Sequence, residues 1–264
     1  MSEYRLIFGL VFFVYLCKDN IFLGMQLFYA PDITGPDYTL EEQESKHCVR
    51  VLRLGRGDLL HITDGRGNLF TCRIEEDDPR RCTVRVCAVE REYGKLPYDL
   101  TLAVAPTKQI ERFEWFLEKA TEVGIGTIVP LETARSERRT IKADRETKVI
   151  TSAVKQSLKA YHPRLQEMTP FEALVGEPFA GLKLIAHCDE ARSQEGKTYL
   201  PDLLPQGGEV LVLIGPEGDF TPAEIDLALR HGFREVTLGT QRLRTETAAV
   251  AAAVMVSVHN APRR

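Results

Sequence analysis

Two loops near the C-terminus combine the residue types that a ligand site needs. The first loop, GPEGDF, directly follows an all-apolar run at residues 210–214, which is typical of a strand buried on both faces. The second loop, LGTQRLRTET, follows a strand predicted at residues 235–238. Each loop leads straight into a helix. This arrangement of strands, polar loops and helix starts predicts a ligand site.

The first loop has features of a close approach between backbone and ligand. Gly215 and Gly218 are expected to turn with positive φ and to let a ligand lie against bare peptide groups. Thr221 is predicted to begin a helix, because Pro222 suits the first helical position and Glu224 completes a T-x-x-E capping box. A glycine turn that only caps a helix is the alternative for this loop taken alone, and the second loop disfavours it.

The ligand is not expected to be a phosphate. Helix starts after glycine loops often bind anions, but Glu217 and Asp219 place two carboxylates in this loop. Neither the GxxxxGK[ST] pattern nor GxGxxG is present. A neutral or cationic ligand with hydroxyl groups fits better.

The helix after the second loop, at residues 248–259, is apolar all round and is therefore expected to be buried in a core or a subunit interface.

The rest of the chain reads as two domains. Residues 26–89 alternate in short apolar runs broken by turn sequences, which indicates a small β-barrel with a hairpin at Asp64 and Gly65. Residues 91–97 resemble a linker in composition. Apolar strands predicted near residues 100–105, 127–131, 182–187 and 209–214 alternate with helices, which indicates an α/β domain with a mostly parallel sheet. The predicted domains are residues 25–90 and 98–264.

Composition limits the class of protein. The 264 residues suit about two domains, with 44% hydrophobic and 27% charged residues. Six cysteines show no C-x-x-C and no histidine at zinc spacing, so no metal is expected and the free thiols favour the cytoplasm. The apolar run at residues 6–17 is too short for a membrane span and lacks a convincing cleavage site, so no membrane association is expected.

The charge of this sequence gives only weak support for a nucleic-acid partner. The net charge is −4, so RNA contact requires local segregation of charge. Arg50, Arg53 and Arg56 provide one basic stretch, and residues 135–148 provide another with six basic and three acidic side chains. A solvated surface is the alternative for either stretch alone.

The quoted loops resemble the C-terminal signature of the RsmE family of ribosomal RNA methyltransferases in the SPOUT superfamily. The sequences are IGPEGDF, then LG, then LRTETA. Residues 107–130 (TKQIERFEWFLEKATEVGIGTIVP) resemble the family's helix-to-strand segment, and residues 25–31 (MQLFYAP) resemble its N-terminus. Residues 47–70 resemble its small PUA-like RNA-binding β-barrel. The resemblance starts at Met25, so residues 1–24 are predicted to be an extension outside the fold.

The resemblance implies a fold and a reaction. It implies a C-terminal SPOUT-type trefoil-knotted α/β domain, and pairing of that domain into a homodimer. The reaction is transfer of a methyl group from S-adenosylmethionine to N3 of a uridine in 16S ribosomal RNA of the small subunit. The N3 proton must be removed by a protein group or a water, and the base must be unpaired or flipped out because N3 lies on the Watson–Crick edge. A sulfonium leaving group needs no metal.

The resemblance and the helix pattern together suggest site residues. The candidate cofactor-binding residues are Ile214, Gly215, Glu217, Gly218, Leu238, Gly239, Leu243 and Arg244. The candidate catalytic residues are Arg244, Arg112 and Glu118, with a solvated helix face as the alternative for Glu118. The candidate RNA-binding residues are Arg50, Arg53, Arg56 and Lys155.

Two departures from the family pattern stand out. Asp219 replaces a more usual glycine, which questions how that turn closes, and Thr240, Gln241 and Arg242 replace a more usual proline and isoleucine run. Three other functions fit parts of this sequence. A non-catalytic RNA-binding assembly factor is disfavoured by the intact loops, and a phosphate-loop nucleotide enzyme is disfavoured by the absence of its lysine. A SPOUT methyltransferase with a different RNA target remains open.

Overall fold

The computed structural model describes residues 25–189 and 197–262. The predicted extension at residues 1–24 lies outside the described residues. Within the described ranges, none of the helices has the length and apolar character that crossing a membrane requires.

The N-terminal part of the chain forms a five-stranded sheet in the order β1-β3-β4-β5-β2. The buried side chains of Phe28, Ile62 and Ile74 are in its core. The hairpin predicted at Asp64 and Gly65 is confirmed, because β3 pairs antiparallel with β4 across this turn and Gly65 has a φ of +73°. The elements are β1 (Leu27–Tyr29), β2 (Asp37–Thr39), α1 (Glu42–Lys46), a π-helical turn (His47–Val51), β3 (Leu59–Thr63), β4 (Leu69–Glu76) and β5 (Thr83–Glu90).

The second sheet has eight strands and begins at Tyr98. Its order is β11-β13-β10-β12-β6-β7-β8, with β9 also paired to β7, and each of these pairings is parallel. The strands are β6 (Tyr98–Val104), β7 (Thr127–Glu132), β8 (Arg164–Leu165), β9 (Thr169–Pro170), β10 (Leu182–Ala186), β11 (Thr198–Tyr199), β12 (Gly208–Ile214) and β13 (Arg234–Thr237). The helices are α2 (Ile110–Val123), α3 (Ala143–Gln156), α4 (Phe171–Gly176), α5 (Leu200–Leu203), α6 (Pro222–Arg230) and α7 (Thr245–His259).

Helices cover both faces of this sheet, which explains the continuous apolar runs in its strands. On β12, Val210 and Val212 contribute to the core shared with α2, α3 and α7. Leu211 and Leu213 contribute to the core on the opposite face, shared with α4 and α6. The prediction of a mostly parallel α/β sheet buried on both faces is therefore confirmed.

Helix α7 is buried on one side within a single chain, so the core accounts for only part of the predicted burial in a core or a subunit interface. Ala249, Ala252 and Val256 are fully buried against α2 and the sheet. Val254 and Val258 on the same helix are 40% and 67% exposed. A single chain therefore leaves an apolar side of α7 in contact with solvent.

The β3–β4 turn connects the two parts of the chain through backbone hydrogen bonds. Gly67 N donates to Ala160 O at 2.8 Å, and His162 N donates to Gly65 O at 2.9 Å. The Tyr29 ring packs on the His162 ring with centroids 4.9 Å apart. The small domain is thus attached to the second domain by ordered contacts as well as by the linker.

Candidate active site

The sheet order brings the two predicted loops close together. Strand β10 lies between β12 and β13, and all three run parallel. The loop after β12 and the loop after β13 therefore flank the carboxyl end of β10. This is the edge at which open α/β sheets bind ligands. Thr245, the first residue of α7, donates its hydroxyl hydrogen to Gly215 O at 3.1 Å, so the second loop is joined directly to the first.

The glycines of the first loop do not have the conformation expected of them. Gly215 and Gly218 are absent from the positive-φ positions of the described chain, whereas Asp219 has a φ of +62°. Packing favours glycine at position 215 instead, because a Cβ there would lie 3.1 Å from the Phe220 ring, which is closer than most side-chain contacts. A Cβ at Gly218 would make only ordinary contact with Arg135, at 3.4 Å. The prediction of positive φ at Gly215 and Gly218 is therefore wrong.

Asp219 closes the turn at the position where the family more often has glycine. Aspartate tolerates the left-handed conformation better than most residues because its short side chain can bond locally. Its Oδ1 accepts from Phe220 N at 2.8 Å, and its Oδ2 accepts from Cys188 N at 2.7 Å. The departure from the family pattern therefore provides a link between the first loop and the end of β10.

The carboxylates near the start of α6 also make hydrogen bonds within the protein. Glu217 Oε1 accepts from Lys108 N at 3.0 Å, which ties the loop to the segment between β6 and α2. The predicted capping box is confirmed, since Thr221 and Glu224 bond reciprocally at the start of α6. These carboxylates accept hydrogen bonds from backbone N–H groups that could otherwise bind an anion. This geometry is consistent with the expectation that the loop does not bind phosphate.

Arg135 holds the first loop from the side of β7, a role that was not predicted from the sequence. Its Nη1 donates to Gly218 O at 2.7 Å and to Phe220 O at 3.3 Å. Arg138, three residues later, donates to Thr107 O at 3.0 Å and to Lys108 O at 2.8 Å. The only available signal was the basic stretch at residues 135–148, which suggested RNA contact rather than support of a loop.

The second loop leaves space beside its backbone. Gly239 has a φ of +132°, and a Cβ built there would have no atom within 4 Å. Thr237 stabilises the turn, because its hydroxyl donates to Gly239 O at 2.8 Å. Leu238 and Leu243 are half-buried on either side of the turn. An adenosine-sized ligand could therefore approach this backbone without displacing a side chain of the described chain.

His187 joins β10 to β13 beneath the two loops. Its fully buried ring lies 2.8 Å from Glu235 Oε1 through Nε2. Burial lowers the pKa of His187, although the hydrogen bond to Glu235 opposes the shift. A histidine with a lowered pKa is neutral at pH 7, which fits a structural link between strands.

The three catalytic candidates are not all in one place. Arg112 on α2 lies near the start of α7, with its Nε 3.9 Å from Glu246 Oε1. Arg244 is the exposed N-cap residue of the same helix. Glu118 is six residues after Arg112, which places it about 120° around α2. It pairs with Lys119 at 2.7 Å and lines a groove of about 950 Å³ between α2 and α3.

The RNA-binding candidates also differ in their surroundings. Arg50, Arg53 and Arg56 are exposed on the small domain. Lys155 is instead engaged within the protein, because its Nζ bonds to Glu44 Oε1 of α1 at 2.7 Å. Lys155 thus connects the two domains. Across residues 25–189 and 197–262, no group of three or more His, Cys, Asp or Glu side chains could hold a metal ion.

The fold and the two joined loops define a class of protein, the RNA methyltransferases. The sequence pattern of a family described as RNA methyltransferase domain matches residues 94–257. A second pattern, described as RNA methyltransferase PUA domain, matches residues 40–87.

The chain belongs to the ribosomal RNA small subunit methyltransferase E family. It is 30% identical to the Synechocystis member over 246 residues, covering 91% of this chain and 79% of that protein. It is 27% identical to the Bacillus subtilis member, covering 84% and 90% of the two chains. The predicted RsmE resemblance is therefore confirmed.

Solved structures agree with this assignment. A probable rRNA-methyltransferase from Porphyromonas gingivalis has 45% identity and a TM-score of 0.84, covering 90% of this chain and 99% of its own. The small subunit methyltransferase E from Neisseria gonorrhoeae, solved bound to S-adenosyl methionine, has 25% identity and a TM-score of 0.77, covering 89% and 97%. The predicted SPOUT-type fold with a PUA-like domain is confirmed, while the knot stays a prediction of the resemblance.

Proposed function

We propose that this protein transfers a methyl group from S-adenosylmethionine to N3 of a uridine in 16S ribosomal RNA of the small ribosomal subunit. The observation that carries the proposal is the pair of loops joined by Thr245 and Gly215 at the end of β10. Family membership supports the same reaction, and so does the Neisseria gonorrhoeae relative that was solved with S-adenosyl methionine. A ribosomal substrate also favours the cytoplasm as its location.

The proposed cofactor site uses both loops. Ile214, Gly215, Glu217 and Gly218 would provide the first wall, and Leu238, Gly239, Leu243 and Arg244 would provide the second. The open space beside Gly239 supports this assignment, because a side chain there would fill the approach to the backbone. S-adenosylmethionine supplies an activated methyl group on a sulfonium. The role of these residues is to hold that group in line with N3, which lowers the barrier by orientation.

The small domain is proposed to bind RNA through phosphates. Arg50, Arg53 and Arg56 are closely spaced, exposed cations. Replacing all three by glutamine should weaken RNA binding and reduce its salt dependence by roughly one unit of slope for each lost phosphate contact. S-adenosylmethionine affinity should stay unchanged. Unaltered RNA affinity would mean that RNA contacts a different surface.

A homodimer through the second domain is the proposed assembly. Val254 and Val258 on α7 are exposed apolar side chains, and Trp115 on the packed helix α2 is 42% exposed. A second copy of the chain would remove this apolar surface from water. Val258→Glu should therefore shift the protein from dimer to monomer in analytical ultracentrifugation, whereas Val51→Glu in the small domain should not.

The direct test of the function has two parts. Calorimetric titration should detect S-adenosylmethionine binding and no ATP binding, which separates a methyltransferase from an assembly factor and from a phosphate-loop enzyme. Purified protein should then methylate small subunits from a strain that lacks the corresponding gene. Mass mapping of the modified nucleotide should give N3-methyluridine. Methylation of another RNA, or at another atom, would contradict the proposed substrate.

Arg244 is proposed to act mainly in the transition state. Lysine keeps the charge but loses the planar fork that can bond two acceptors. Arg244→Lys should bind S-adenosylmethionine nearly normally and react at least tenfold slower in single-turnover experiments, which is roughly 1.4 kcal/mol. Arg242→Lys, an exposed change in the same loop, is the matched control. A parent-like rate would make Arg244 structural.

A further inference from the structure

The carboxylate of Glu246 is buried beside the candidate active site without the hydrogen bonds that burial normally requires. Glu246 is the second residue of α7, and only 8% of its surface is exposed. Its Oε1 lies 3.9 Å from Arg112 Nε, which is too long for a hydrogen bond. Its Oε2 is buried and has no hydrogen-bond partner among residues 25–189 and 197–262.

The helix start alone does not explain this arrangement. A carboxylate in the first turn interacts favourably with the helix dipole, and such residues are common there. Glu246, however, is bonded to none of the backbone amides of its own turn in the described chain. A desolvated carboxylate oxygen without a donor is unfavourable, and unpaired buried polar groups are rare in folded proteins. A bound ligand that supplies a donor would remove this penalty.

The position of Glu246 indicates which ligand that is. The preceding residue, Thr245, bonds to the carbonyl of Gly215 in the first loop at 3.1 Å. The residue before it, Arg244, ends the second loop. Arg112 faces Glu246 from α2 and is the one basic side chain that pairs with it within 4.0 Å in the described chain. The carboxylate therefore lies where both cofactor loops meet α2.

We propose that Glu246 is the group that accepts the N3 proton of the target uracil, an inference that rests on the proposed function. The Watson–Crick edge of uracil presents one N–H donor between two carbonyl acceptors. The Glu246 carboxylate, which lacks a hydrogen-bond donor, complements the N–H of this edge. The neighbouring Arg112 complements its carbonyl oxygens. Glu246 accepts from N3–H, and Arg112 donates to one of the flanking uracil oxygens.

The proton and electron pairs balance in this step. The proton passes from N3 to the Glu246 carboxylate, and the pair of the former N–H bond stays on N3. That pair forms the bond to the methyl carbon while the carbon–sulfur bond breaks and its electrons remain on sulfur. N3-methyluracil and S-adenosylhomocysteine leave, and Glu246 returns its proton to water. Arg112 stabilises the negative charge that develops on the uracil oxygens.

The test compares Glu246→Gln with Glu246→Asp. Glutamine keeps the size of the side chain but cannot take the proton, whereas aspartate keeps the carboxylate on a shorter chain. Glu246→Gln should bind S-adenosylmethionine within about twofold of the parent in calorimetry and methylate small subunits roughly a hundredfold slower or more in single turnovers. Glu246→Asp should recover part of that rate. Glu111→Gln, an exposed carboxylate on α2, should react like the parent.

The dependence of the rate on pH gives a second readout that a structural role would not change. The rate of Glu246→Gln should rise with pH more steeply than the parent rate, because hydroxide must take the proton when the carboxylate is absent. A parent-like single-turnover rate in Glu246→Gln would overturn the proposal. The proposal would also be overturned if Glu246→Gln lost affinity for S-adenosylmethionine and Glu246→Asp restored binding without any gain in the methylation rate. A parent that binds S-adenosylmethionine but methylates no ribosomal RNA would overturn the proposed function as well.

Discussion

The ring of Tyr161 occupies the space that a side chain at Gly67 would need. A Cβ built at Gly67 would fall well inside van der Waals contact with Cζ and the hydroxyl of Tyr161. Gly67 also has a φ of +95°, and its N–H donates to Ala160 O across the junction between the domains. The β3–β4 turn can therefore keep its present contacts with Tyr161 and Ala160 only if position 67 is glycine.

Gly67→Ala should release the small domain from its fixed orientation. The added methyl group must displace Tyr161 or break the hydrogen bond to Ala160, so methylation of small subunits should fall about tenfold while S-adenosylmethionine affinity is unchanged. Small-angle scattering should show a larger radius of gyration. Gly57→Ala is the matched control, because Gly57 has a φ of +93° and no atom within 4 Å of its Cβ position. Equal effects of both variants would mean that backbone strain alone is responsible.

Arg135→Lys should weaken cofactor binding without contacting the cofactor. Arginine Nη1 donates to the carbonyls of Gly218 and Phe220, and the ammonium of lysine, on a shorter side chain, cannot take the position of that atom. Loss of about one net hydrogen bond predicts a roughly fivefold weaker affinity, measured by calorimetry. Arg139→Lys, which changes an exposed partner of Glu132, should leave the affinity unchanged. Parent-like binding in Arg135→Lys would show that the loop keeps its shape without this residue.

Glu146 should make the protein less stable as pH rises. Burial raises the pKa of Glu146 to about 7, and the charge of Glu114 on α2 adds to the shift, whereas Arg145 and Arg138 oppose it. Because the folded-state pKa lies above the ordinary value of 4.5, the stability from this group is fully present below about pH 4.5. It is lost as pH rises through about 7, at a cost on the order of 3 kcal/mol.

Thermal unfolding of Glu146→Gln checks this sign. The variant cannot ionise, so it should melt close to the parent at pH 5 and roughly 6–12 °C higher at pH 8. Asp144→Asn, an exposed change on the same helix, should show no such difference between the two pH values. A variant that melts below the parent at pH 8 would mean that ionised Glu146 is stabilised in the fold.

The elements of this protein follow from local sequence pattern. The all-apolar run of β12 predicted burial on both faces, and the structure divides Val210 and Leu211 between two cores. The T-x-x-E pattern at Thr221 predicted a capping box that is present. Periodicity and capping are set by side chains within a few positions of each other, so a single sequence displays them directly.

The contacts that give the site its shape were decided by tertiary structure. The positive φ lies at Asp219 rather than at Gly218, because the Asp219 carboxylate can reach the amide of Cys188 just beyond the end of β10. Arg135 follows β7 and the first loop follows β12, and only β6 lies between these two strands. Arg135 can therefore reach the loop and support it. Glu246 was not recognised as a candidate because its burial and its distance to Arg112 depend on how α7 packs on α2. Sheet order and helix packing join residues far apart in the chain, and local pattern does not encode which distant side chains will meet.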